Sequence, residues 1–100
     1  MRIVIYPGTF DPIHSGHIDI AERASSLFDK LIFAVAVNND KKPLFSAEER
    51  IDMIMKSMHH VDNVEAFSTE GLVADFARDY NAVAIIRGLR HVSDFEFEFQ

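Results

Sequence analysis

The sequence predicts an α/β fold in which a doubly wound parallel sheet is covered by helices on both faces. Three observations predict it. Short apolar runs rich in Val, Ile and Ala alternate with longer stretches whose apolar residues recur at helical spacing, in the order β-α-β-α-β-α-β. One of the runs, "LIFAVAV" at Leu31–Val37, is apolar at every position, which suits a central parallel strand buried on both faces. The runs are separated by helix-sized connections, and parallel neighbours need such crossovers, which are right-handed in nearly all proteins.

The elements follow in order. "RIVIY" (Arg2–Tyr6) is a short β-branched run ending in Pro-Gly, the first strand. From about Gly16 to Phe28, "GHIDIAERASSLF" puts Ile18, Ala21, Ala24, Leu27 and Phe28 on one helical face. Leu31–Val37 is the second strand, and "NNDKKPLF" is a polar loop. "SAEERIDMIMKSMH" opens with Ser46 and carries Glu49 three positions on, a capping box, with Ile51, Ile54, Met55 and Met58 as the buried stripe. "NVEAF" (Asn63–Phe67) is a weaker strand. "GLVADFARDY" (Gly71–Tyr80) is a helix with Leu72, Phe76 and Tyr80 in line, and "AVAIIR" (Ala82–Arg87) is the fourth strand. The chain then closes on "FEFEFQ". We take this segment as the start of a final helix, with Phe95 and Phe99 at i, i+4, although Phe95, Phe97 and Phe99 also alternate like a strand.

Composition bounds the function. A chain of 100 residues with 48% hydrophobic residues makes one domain, residues 1–100, with a core of its own. No apolar run is long enough to span a membrane. The N-terminus "MRIVIYPG" is a poor signal peptide, so the cytoplasm is the expected location. With no cysteine there is no disulfide, thiolate nucleophile or cysteine zinc site. A net charge of −6 argues against a nucleic-acid partner.

The cations are nonetheless clustered. In an open parallel sheet the C-terminal ends of the strands form one edge, and ligands bind there. Thr9, His14, His17, Lys41, Lys42, Arg87, Arg90 and His91 all follow strands and fall on that edge, whereas the opposite edge receives a mixed set in Lys30, Asp62 and Asn81. An acidic chain that gathers its cations on the binding edge is suited to an anionic ligand, and phosphates fit the paired donors of Arg and the point charge of Lys. Gly16-His17 adds a close backbone approach and the free N–H groups of a helix start. Taken alone, a histidine there is better explained by capping or packing; the setting favours a ligand-facing role.

Other candidates read as structure. His14 and His17 at i, i+3 lack an evident third metal ligand, so no metal site is expected. Asp11 reads as a turn or cap residue beside Pro12. His59 and His60 suit the negative end of a helix dipole, and Met53, Met55 and Met58 read as core filler. Lys41 and Lys42 alone would be a solvated pair, and their position shifts them towards phosphate binding. Arg87 and Arg90, around Gly88 and directly after a buried strand, are hard to explain as packing. Glu96 and Glu98 either pair with those arginines or face solvent.

"HSGH" (His14–His17) resembles the HxGH signature of the nucleotidyltransferase superfamily, which is shared with class I aminoacyl-tRNA synthetases. The longer set "YPGTFDPIHSGHIDI", "KKPLFSAEER", "FAR" and "IRGLRHVSDFEFE" closely resembles the bacterial phosphopantetheine adenylyltransferase family over essentially all 100 residues. The resemblance implies a Rossmann-like nucleotidyltransferase fold, with four of the family's five strands present. Family members commonly have Thr where this chain has His14. They also continue the last helix, add a fifth parallel strand and carry a serine-rich phosphate motif, so the resemblance implies a chain truncated after its N-terminal part.

The resemblance further implies transfer of AMP from ATP to 4′-phosphopantetheine, giving dephospho-CoA and pyrophosphate by in-line attack with no covalent intermediate. Residue by residue it assigns His17, Lys41 and Thr9 to catalysis. It assigns Thr9, Lys41, Val73 and Arg87 to the phosphopantetheine, and Thr9, Phe10, His17, Gly88, Leu89, Arg90 and Glu98 to ATP. It implies magnesium carried with ATP, no protein metal site, and a homohexamer. Two alternatives stand beside it. One is another HxGH nucleotidyltransferase, acting on a nicotinamide nucleotide or a cytidylyl acceptor. The other is a truncated fragment that binds phosphopantetheine without catalysis.

Overall fold

Ile3–Gly8 form the first strand, β1, and its alternation divides the core. Val4 and Tyr6 face one side of the sheet and Ile5 the other, all of them buried. The structure is a computed structural model that describes residues 1–38, 42–88 and 95–99. After β1 come α1 (Ser15–Ser25), β2 (Lys30–Ala36), α2 (Ala47–Ser57), β3 (Val64–Thr69), α3 (Val73–Asp79), β4 (Ala84–Gly88) and β5 (Phe95–Phe99).

The sheet order is β3-β2-β1-β4-β5. β1 pairs in parallel with β2 from Ile3↔Lys30 to Gly8↔Val35, and β2 with β3 from Leu31↔Val64 to Ala36↔Thr69. On its other side β1 pairs in parallel with β4 at Val4↔Ala84 and Ile5↔Ile85. The first two crossovers step outwards in the same direction, and the third returns past β2 and β1 to the far side. Right-handed crossovers then put α1 and α2 on one face and α3 on the other. The cores agree. Ile20, Ala21 and Ala24 of α1 and Ile54 of α2 pack on Tyr6, Leu31, Phe33 and Val35, while Phe76 and Ala77 of α3 pack on Ile5, Ile32 and Ala34. Strand order therefore reverses between β1 and β4, the crevice where such sheets bind ligands.

The doubly wound parallel architecture of the first four strands follows the sequence, with element ends displaced by one to three residues. The last segment differs. It is not the start of a helix: Phe95–Phe99 run antiparallel to β4, from Ala84↔Phe99 to Gly88↔Phe95. Pairing meets the open N–H and C=O groups along β4's outer edge. The alternation also sets Phe97 against Phe28, with ring centroids 5.1 Å apart, while Glu96 and Glu98 stay exposed.

Three expected core positions also move. Leu27 is 56% exposed because α1 ends at Ser25 and Leu27 falls in the following turn. Leu72 precedes α3 as its N-cap and is exposed. Met55 is 40% exposed, and the inward row of α2 is instead Arg50, Ile54 and Met58 at i, i+4, i+8. Among the described residues, no helix is long and apolar enough to cross a membrane.

Candidate functional site

The loop leaving β1 is shaped by one buried ring. Phe10 has φ 48°, in the left-handed region that side chains seldom occupy, at a strain of order 1–3 kcal/mol. That turn sends its ring back beneath the loop, where it is 2% exposed and meets Tyr6, Phe33 and His17 edge-on at centroid distances of 5.1, 5.0 and 4.8 Å. The aromatic cluster offsets the strain, since each such pair is worth about 0.5–1.5 kcal/mol beyond burial. Burial pushes the Tyr6 phenol up to about 12, so it stays protonated. Gly8 serves close approach here: a Cβ at that position would meet the Phe10 ring at 3.0 Å. With the ring tucked under, Thr9 is left exposed.

The next turn fixes two imidazoles. His14 is the N-cap of α1, and its Nδ1 accepts the Gly16 backbone N–H at 3.1 Å. His17, three residues on, accepts the His14 backbone N–H on its own Nδ1, also at 3.1 Å. The pair is a capping box built from histidines in place of Ser and Glu. Their rings stack 3.7 Å apart at 25°. Burial, and then the neighbouring His14, lower the His17 pKa to about 4. His17 is therefore a neutral imidazole at pH 7. Because Nδ1 is the acceptor, the ring proton sits on Nε2. Capping and ligand-facing roles are thus compatible: the cap on Nδ1 orients the ring and leaves Nε2–H as the donor.

Asp11 ties this loop to the next. Its carboxylate accepts the backbone N–H groups of Leu44 and Phe45 at 2.7 and 2.9 Å. Between the two loops lies a cleft of about 440 Å³, with Thr9 and Asp11 on one side, Asn38 at the end of β2, and Lys42 and Arg50 on the other side. Arg50 is 3% exposed. Its Nε donates to the carbonyls of Phe45 and Ser46 at 3.1 and 3.4 Å, and its Nη1 to those of Thr9 and Ala36 at 3.0 and 3.1 Å. One side chain thus ties the β1 loop, the end of β2 and the start of α2.

A second, shallower hollow of about 380 Å³ lies on α3's side of the sheet, where Val73, Arg87, Gly88 and Glu98 meet beside Pro7. Its polar groups are loosely held. Arg87 Nε stands 4.0 Å from Glu98 Oε2, and both side chains are about three-fifths exposed. The structure thus gathers four of the expected residues around one hollow, and Thr9 with Lys42 around the other. The expected residues Lys41, Leu89, Arg90 and His91 lie outside the described residues. His59 and His60 are exposed and make surface polar contacts: His59 Nδ1 is 2.9 Å from the Lys56 carbonyl and His60 Nε2 is 2.9 Å from Glu22. Among the described residues, no three His, Cys, Asp or Glu side chains group as a metal site.

Sequence reasoning missed Arg50 and the anchoring role of Asp11. The signal for Arg50 was present, because it stands one turn before Ile54 and two before Met58 on the buried stripe. Asp11 had none, since its partners lie 33 and 34 residues away.

The chain is 56% identical over 100 residues to the phosphopantetheine adenylyltransferase of Clostridium botulinum (strain Alaska E43 / Type E3), covering 100% of this chain and 63% of that protein. It is also 56% identical over 99 residues to that of Carboxydothermus hydrogenoformans, covering 99% and 61%. The chain thus spans less than two thirds of the length of these curated relatives. Among solved structures, a lipopolysaccharide core biosynthesis protein from Thermoplasma volcanium GSS1 superposes with a TM-score of 0.67 at 29% identity, over 85% of this chain and 72% of that one. A Vibrio parahaemolyticus chain, provisionally assigned as a nicotinate-nucleotide adenylyltransferase, shares the fold at a TM-score of 0.63 and 20% identity, over 85% and 55%. The cytidylyltransferase-like family model matches residues 5–100, from the middle of β1 through every later element, and the chain belongs to the cytidylyltransferase-like family.

Proposed function

We propose that this chain, as a single domain over residues 1–100, forms the greater part of a phosphopantetheine adenylyltransferase. The reaction is transfer of AMP from ATP to 4′-phosphopantetheine, giving dephospho-CoA and pyrophosphate in coenzyme A synthesis. The observation that carries the reading is His17, a neutral Nε2–H donor locked by its own Nδ1 at the head of α1, on the ligand edge of the sheet. The choice of acceptor is supported by relatives of that name, more than half identical along the whole chain.

In this reading an oxygen of the phosphopantetheine phosphate attacks the α-phosphorus of ATP. The new P–O bond forms as the bond to the bridging oxygen of pyrophosphate breaks, and pyrophosphate leaves with that electron pair. The phosphate is already ionised at neutral pH, so no general base is needed; positioning and charge stabilisation supply the catalysis. His17 Nε2–H donates to the α-phosphate as its charge grows. Thr9 orients the incoming phosphate and Lys41 neutralises charge between the two reactants. Val73 and Arg87 hold the phosphopantetheine, while the Phe10 backbone, Gly88, Leu89, Arg90 and Glu98 serve ATP. Magnesium enters as part of the substrate, on the ATP phosphates. The Asp11 carboxylate beside Thr9 is already engaged by two backbone N–H groups, which suits a metal brought by ATP more than one caged by the protein. A homohexamer in the cytoplasm, without nucleic-acid or membrane partners, completes the proposal.

Pyrophosphate release tests it. A protein carrying this sequence is expected to release pyrophosphate from ATP with phosphopantetheine and not with nicotinamide mononucleotide or a cytidylyl acceptor. His17→Ala is expected to lower kcat about 10²–10³-fold with little change in substrate affinity, the scale set by losing one oxyanion-type donor. An unchanged kcat would remove His17 from the mechanism. A second reading is a protein that binds phosphopantetheine without turnover. Binding by calorimetry without pyrophosphate release would select it.

A further inference from the structure

Arg50 takes no part in the reaction proposed above, yet it is a buried cation. Among the described residues, no carboxylate lies within ion-pair distance of it. Burying a guanidinium without a counter-charge is expensive unless its donors are met. Nε and both hydrogens of Nη1 are met by the carbonyls of Phe45, Ser46, Thr9 and Ala36. Nη2 has no hydrogen bond among the described residues. No buried side-chain nitrogen or oxygen among them lacks a partner, so Nη2 must reach the surface. The surface that Arg50 reaches is the 440 Å³ cleft, which it lines with Thr9 and Lys42. A planar cation held by carbonyls, with one donor end free in a cleft, is preorganised for an anionic oxygen and needs no rearrangement to meet it.

We propose that Arg50 is an anion-binding residue of this cleft, with Nη2 donating to a phosphate-monoester oxygen while Nε and Nη1 hold the loop backbones at Thr9, Ala36 and Ser46. That the phosphate belongs to the acceptor substrate rests on the function proposed above; the existence of the anion site does not.

The test follows the Arg50 guanidinium resonances by NMR in the wild-type protein, titrated separately with inorganic pyrophosphate, pantetheine and 4′-phosphopantetheine. Arg50 Nη2 is expected to shift with phosphopantetheine and not with pantetheine. A shift with pyrophosphate alone keeps the anion site and overturns the acceptor assignment. No shift with either anion, or equal shifts with pantetheine and phosphopantetheine, overturns the site. As a second arm, Arg50→Lys keeps the charge and loses the fork. It is expected to weaken phosphopantetheine roughly ten- to hundredfold, the value of a charged hydrogen bond, while leaving pantetheine nearly unchanged. Equal losses for both ligands would mean that Arg50 only clamps the backbone, against the proposal. If the variant fails to fold, the wild-type titration still decides.

Discussion

The loop after β1 and the hollow at the end of β4 share one sheet edge but are held in opposite ways. The first is fixed from beneath by the Phe10 ring, from the side by Asp11 and Arg50, and from its far end by the two capping histidines. The second has exposed Arg87 and Glu98 side chains 4.0 Å apart, beside a helix whose N-cap, Leu72, makes no side-chain hydrogen bond. Bond formation tolerates little positional error, and a preorganised donor is most effective where water cannot reorient it. A hollow that receives a flexible ligand arm can instead order its side chains on binding, at some cost in affinity. The difference fits the roles in the proposed function, reaction chemistry at the β1 loop and ligand capture at the β4 end.

Removing the ring beneath the first region is the strongest way to break the contrast. Phe10→Ala is expected to cost about 3–5 kcal/mol in urea unfolding, the range for large aromatic truncations in a core. A loss below about 1 kcal/mol would mean that the ring does not organise the loop. Next is Asp11→Ala, which leaves the Leu44 and Phe45 N–H groups without their acceptor. About 1–2 kcal/mol is expected, because Leu44 can turn to water more easily than half-buried Phe45.

A third test uses pH. His17 is lowered from 6.5 to about 4 in the folded protein, so between these values the unfolded chain binds a proton that the folded chain refuses. Its contribution is fully present above 6.5 and is lost as pH falls towards 4. Unfolding midpoints should fall across that window more steeply in wild type than in His17→Gln, whose side chain does not titrate. Parallel profiles would show that the His17 ring titrates normally. The smallest effect belongs to the second region. Glu98→Gln should change stability by less than about 0.5 kcal/mol, as for exposed pairs in general. A loss above about 1 kcal/mol would make the β4 end as built as the β1 loop and end the comparison.

Much of this was legible in the chain. The unbroken apolar character of Leu31–Val37 announced a strand buried on both faces, and Ser46 with Glu49 announced the start of α2; both are present, the cap as a reciprocal pair of hydrogen bonds. "HSGH" marked the head of α1 and the His17 ring that caps it. The chemistry of that ring was not legible, because a depressed pKa requires knowing what covers it. Arg50 was missed because a charged residue was not counted on the buried stripe, although it stands on it. The alternating phenylalanines of "FEFEFQ" supported two periodicities, and only β4's open edge and Phe28 chose between them.

The sequence by itself determined the order of the first seven strands and helices and the clustering of cations after strands. These depend on periodicity and on the rule that parallel strands share an edge, both of which are local or topological. Tertiary structure decided which groups are neutral, which are anchored and which are free. It set β4 beside β1, put Arg50 within reach of Thr9 from 41 residues away, and turned two helix-capping histidines into a fixed donor. Burial and hydrogen-bond saturation depend on neighbours distant along the chain, and only the folded packing specifies them.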